Sequence, residues 1–98
     1  MSQIPATLPE GLVSYARSPD FTDENLPAKL QSAHRVKPGT WALIHVLEGR
    51  LHYELEPPRQ GEVTAAAGER IVIEEDTPHH VAFVEPGRIF IEFFRKPG

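Results

Sequence analysis

An all-β fold, either a small barrel or a double-sheet jelly roll, is what this chain of 98 residues predicts. Three observations carry that reading. Ten prolines and seven glycines punctuate the chain at short intervals, and long helical periodicity is missing. Between them stand short runs rich in Val, Ile, Leu, Phe and Thr, whose branched or aromatic side chains suit a pleated, half-buried surface. About eight such runs fit into fewer than a hundred residues, the close spacing of strands joined by tight turns.

In chain order, residues 1–10 form an arm and "GLVSYAR" (11–17) the first strand. "SPDFTDENLP" (18–27) is a loop in which Thr22 to Asn25 can wind one helical turn. The strands that follow are "AKLQSAH" (28–34), "TWALIHVL" (40–47), "RLHYELE" (50–56), "EVTAAA" (62–67), "RIVIEE" (70–75), "HVAFVE" (80–85) and "RIFIEFF" (88–94). Turn residues separate them: "KPG" at 37–39, "EG" at 48–49, "PPRQG" at 57–61, "AGE" at 67–69, "EDTP" at 75–78 and "EPG" at 85–87. No repeat, linker or low-complexity tract divides the chain, so one domain over residues 1–98 is expected.

Alternation assigns faces. In "RLHYELE", Leu51, Tyr53 and Leu55 share one face and Arg50, His52 and Glu54 the other, so one side is core and one solvent. "TWALIHVL" is largely apolar on both faces, as is "RIFIEFF", and such strands are covered on both sides within the fold or at a subunit contact. Two of them in so small a domain favour a homodimer. Glu92 sits on the Phe90–Glu92–Phe94 face, where a carboxylate needs a partner.

Composition narrows the function classes. Zero cysteines exclude disulfides, thiolate nucleophiles and zinc sites of the finger type, and fit an intracellular protein. No run approaches the ~20 apolar residues of a membrane helix, and residues 1–10 lack the basic start and apolar stretch of a signal peptide. Ten Lys and Arg against fourteen Asp and Glu give a net charge of −4, without the basic face of a nucleic-acid binder. A soluble cytoplasmic domain is expected, with neither nucleic acid nor membrane as partner.

The five histidines carry the remaining chemistry. In "TPHHV" (77–81), His79 and His80 are adjacent and therefore point to opposite faces of a strand. His79 shares a face with Val81 and Phe83, His80 with Ala82 and Val84, and alternation alone leaves both orientations open. His52 lies on the polar face of its strand as a solvated imidazole. His45, on the Trp41–Leu43–Leu47 face, reads as a packing histidine or part of a subunit contact.

"AGERIVIEEDTPHHV" has a glycine turn, an acidic residue, an apolar strand and a proline turn leading to His79. It resembles the second sequence motif of the cupin superfamily, and the resemblance makes His79 the inward histidine and a metal ligand. "HRVKPGTWALIHVLEGRL" is similar to the first cupin motif, with His34 near its first histidine, Val36 at the second and the glutamate position near Ala42. A three-histidine, one-glutamate site is not carried over. With the terminal "IFIEFFR" and the opening "QIPATLPEGLVSYARSPDFTDENLPAKL", these stretches resemble the small family named after tellurite resistance protein B, over essentially the whole chain. The resemblance implies a small cupin-like β-barrel (a double-stranded β-helix or jelly roll) and a metal site. Family members include free-standing bacterial proteins of about this length, and the same domain precedes a methyltransferase domain in some longer ones. Nothing in these 98 residues corresponds to that second half.

The expected metal site is therefore His79, His34 and Glu92, converging if their strands neighbour one another. Two imidazoles and a carboxylate suit zinc, iron, manganese or nickel, zinc foremost as isolated, with positions left open for water or a small-molecule ligand. Each residue has an ordinary alternative: His79 capping its turn, His34 solvated beside a basic turn, Glu92 paired with a cross-strand Arg or Lys. The functional expectation is a metal-binding cupin-like protein acting on or sensing a small polar or oxyanionic molecule, with a tellurite or stress link implied by the family name alone. The alternative is a metal-free homodimeric binding or interaction module. A two-histidine site fits catalysis and binding equally.

Overall fold

The computed structural model describes residues 2–98; Met1, the first residue of the expected arm, lies outside the described residues. The molecule is all-β. Its strands are β1 (Val13–Arg17), β2 (Phe21–Thr22), β3 (Trp41–Leu55), β4 (Glu62–Ala66), β5 (Arg70–Ile73) and β6 (His79–Arg95). All pairings between them are antiparallel. The sheet runs β1-β6-β3-β4, with β2 added on β6 and β5 on β3. It is open, so the closed barrel expected from the sequence is not formed by strand pairing.

The reason lies in two long strands. β3 and β6 pair from Trp41↔Phe94 to Leu55↔His79, and each bends once in the middle. One half-sheet contains β5, residues 41–46 of β3, the end of β6, and β1 and β2. The other contains β4, residues 50–55 of β3 and the start of β6. The sheet thus folds over a core instead of closing into a ring. The expected turns "EG" and "EPG" are the bends of continuous strands, which is why four expected strands became two. At the bend the backbones nearly touch: a Cβ on Gly49 would lie 2.3 Å from the Pro86 carbonyl oxygen, and one on Gly87 only 1.9 Å from that of Glu48. Gly49 also takes φ +74°, which favours glycine. Arg88 donates to Glu48 (3.0 Å) and Asp20 (3.0 Å), tying the bend to the loop before β2.

"AKLQSAH" is not a strand. Residues Ala28–Gln31 form a 3₁₀ turn after Pro27, with the Leu30 amide donating to the Pro27 carbonyl at 3.0 Å and Leu30 buried beneath. His34 makes only an isolated bridge. Residues 23–25 do form a turn, closed by Asn25 N to Thr22 O at 3.2 Å. The arm is held down: Gln3 donates to the Gln60 carbonyl (2.6 Å), Arg59 donates to Gln3, and Ile4 packs against the core.

The core is filled by Ala42, Ile44 and Val46 from one half of β3 and Leu51, Tyr53 and Leu55 from the other, facing Val81, Ile89 and Ile91 of β6. The inward face of β3 changes from even to odd positions across the bend, because register shifts there absorb one extra residue. β6 keeps its phase. Its inward residues stay odd from His79 through Ile91.

Candidate functional site

Between the half-sheets and the 3₁₀ turn lies a cavity of about 220 Å³, walled chiefly by Phe21, Leu30, Val36, Ile44, Ile91 and Phe93. His34 and His79 both line it, and Lys29 is its one Lys or Arg among the described residues. The two histidines come together through backbone chemistry. His34 and His79 exchange amide-to-carbonyl hydrogen bonds, each 2.8 Å, so a loop residue is stitched directly to the first residue of β6. Their ring centroids are 5.8 Å apart and nearly perpendicular.

His79 is almost fully buried, with Tyr53 tilted against it at 4.9 Å. Its Nδ1 faces the Thr77 carbonyl at 2.9 Å, and since a carbonyl only accepts, Nδ1 carries the proton. Nε2 then holds the lone pair, the arrangement typical of a ligating imidazole. Burial pushes the His79 imidazole down to about 4, overcoming the Thr77 hydrogen bond, and His34 also lies below its usual value through burial and the nearby Lys29 ammonium. Both rings are neutral at pH 7.

Glu92 is not brought to this site. As an even residue of β6 it points out of the opposite face of the sheet from His79, the direct consequence of strand alternation. There it receives a hydrogen bond from His45 Nε2 at 2.9 Å. Ser14, His45 and Arg17 together hold its carboxyl below the usual carboxylate range. His45 stacks on Phe90 at 4.4 Å, and the Arg17 guanidinium covers the same ring at 3.8 Å. The partner that Glu92 requires is thus a histidine on its own face. No third His, Asp or Glu joins His34 and His79 among the described residues. Val36 lines the cavity and Ala42 is wholly buried, so apolar side chains occupy the two positions where the cupin pattern has further ligands.

Sequence reasoning missed Lys29, which stands on the short helical turn that the sequence presented as a strand. The acidic residues at the end of "RIVIEE" and the start of the "EDTP" turn also have structural partners. Glu75 accepts from Gly39 N (2.7 Å) and Trp41 Nε1 (3.2 Å), Glu74 pairs with Arg59 (2.8 Å), and Asp76 with Arg35 (3.3 Å). These contacts hold the loop that carries His34 against the turn that delivers His79.

Residues 16–91 match the family described as the TehB-like domain. Two curated relatives, both the probable S-adenosyl-L-methionine-dependent methyltransferase TehB of Haemophilus influenzae, are 39% identical (strain KW20) and 36% identical (strain 10810) over 75 residues. Those matches take in 76% of this chain but 24% of each relative, so the chain spans about a quarter of their length. Among solved structures, a protein from Escherichia coli K12 aligns with a TM-score of 0.85 at 18% identity, over 96% of this chain and 100% of the other. TehB from H. influenzae aligns at 0.78 with 28% identity, over 89% of this chain and 32% of that one.

Proposed function

Because the chain belongs to the TehB-like domain family, we propose that it is a cupin-like small-ligand-binding module in which His34 and His79 hold a divalent metal ion at the wall of the cavity. The observation that carries the reading is the reciprocal backbone bridge that puts two neutral imidazoles side by side, one with its Nδ1 proton tied to Thr77. Two imidazoles leave several positions open on an ion such as Zn²⁺, Fe²⁺, Mn²⁺ or Ni²⁺. A bound ion would supply Lewis acidity toward an oxygen of the ligand. The walls are chiefly apolar, and Lys29 adds a positive charge suited to a small polar or oxyanionic molecule. The methyltransferase activity named for the relatives belongs to proteins about three times as long, and the reading for this chain is binding or sensing, in the cytoplasm. A tellurite or stress role rests on the family name.

The test is metal titration of tag-free, chelator-treated protein beside His79→Ala and His34→Ala. The expected result is one equivalent bound in the cavity and lost in both variants. Unchanged stoichiometry in both would remove the metal from this reading and leave a metal-free binding module. That second reading, as a homodimer, draws support from the half-buried Trp41 and Phe94 and the exposed Leu47 on the outer face of the first half-sheet.

A further inference from the structure

The outer face of the second half-sheet carries a group of a different kind. Glu54 on β3 stands directly opposite Glu62 on β4, with His52 two residues before Glu54 and His80 of β6 on the other flank. Ligand atoms of His52, Glu54 and Glu62 all lie within 4.8 Å of one another. Like charges facing each other across a strand pair are destabilising. Yet no Lys or Arg is paired with Glu54, Glu56 or Glu62 among the described residues. The nearest arginine along β3, Arg50, is taken by Glu85 at 2.8 Å.

Both imidazoles are held from behind. His52 Nδ1 is hydrogen-bonded to Thr64 Oγ1 at 3.1 Å and His80 Nδ1 to the Glu56 carboxylate. Their Nε2 atoms converge on a single oxygen, Glu54 Oε1, at 3.6 Å and 3.4 Å. A hydroxyl or carboxylate on the far nitrogen is the outer-shell pattern that orients ligating histidines. We propose that His52 Nε2, Glu54 and Glu62 form a second divalent-cation site of the zinc class, separate from the cavity. His80, fixed by Glu56, flanks the Glu54 carboxylate. One imidazole and two carboxylates suit Zn²⁺, with a fourth position open to solvent. The ion would replace the unfavourable Glu54–Glu62 opposition with attraction and pin the edge strand β4 to β3.

The experiment uses tag-free protein carrying His34→Ala and His79→Ala, so that failure of the cavity site and failure of this one are read apart. Zn²⁺ calorimetry on that background is expected to show one equivalent, lost on adding His52→Ala or Glu62→Gln. Zn²⁺ at a hundredfold excess over Kd should raise its unfolding midpoint by at least about 5 °C, and neither triple variant should respond. In chelator, Glu62→Gln should melt at or above the temperature of the background, because it removes one of two facing charges. Absence of zinc binding on the background, or binding that survives both substitutions, overturns the proposal.

Discussion

At the scale of single residues, burial makes His79 a liability in acid. Its folded-state value of about 4 lies below the 6.5 of an exposed imidazole, so the unfolded chain takes up the proton first as pH falls. The stability due to the neutral ring is complete above about pH 6.5 and drains away as pH falls toward 4. The expected loss is about 3 kcal/mol over that window in metal-free protein. Urea midpoints in chelator at pH 7.5, 5.5 and 4.5 should fall steeply, and His79→Gln should flatten the decline; parallel slopes would show that other groups govern it. His79 was legible as the inward histidine only through its proline turn and the motif it resembles, since periodicity permitted either neighbour. The face of Glu92 was legible, shared with Phe90 and Phe94. That this face turns outward was not, because a strand that is apolar on both sides gives alternation no contrast to read.

At the scale of elements, the strand-forming runs were readable from composition, but their joining was not. A glycine in a turn and a glycine in a bulged, continuous strand leave the same trace in the sequence, and only the cross-strand partner distinguishes them. Gly49 and Gly87 are those partners. Gly87→Ala is expected to cost about 1–3 kcal/mol through overpacking against Glu48. Gly49→Ala should cost roughly 1 kcal/mol more, for the positive φ. Gly39→Ala supplies the control, since its φ of +88° is also positive but no atom lies within 4 Å of its Cβ position. Denaturant midpoints should rank Gly39→Ala as the mildest of the three; equal effects of Gly39→Ala and Gly49→Ala would mean that backbone conformation, not close approach, makes glycine necessary at position 49. The 3₁₀ turn escaped notice because one buried anchor, Leu30, is too short a signal for helical periodicity to register.

At the scale of the whole molecule, the doubly apolar strands are partly covered by the chain itself. Arg17 lies over Phe90, the Trp41 indole is held by Glu75, and the arm runs beside Leu43 and Val72. Leu47 is left exposed on that face. In the homodimeric reading, sedimentation should give a dimer that Leu47→Glu converts to monomer, and a wild type already monomeric would remove it. The open sheet has a bearing on how copies of this chain can meet. β3, 15 residues long, has β6 on one side and β4 or β5 on the other, whereas β6, 17 residues long, gains a second partner only toward its end, from β2 at residues 88–89 and β1 at residues 92–95, apart from the bridge to His34 at His79. Strand addition and amyloid-like stacking need a long, unpaired ladder as a template. Residues 80–87 of β6 form the longer margin, and it is interrupted by Pro86, which has no amide to donate, and by the bend at Gly87. Strand addition by another copy is thereby limited to the few residues of β6 that precede Pro86, and wider association falls to side-chain surfaces, where a single charge can forbid it.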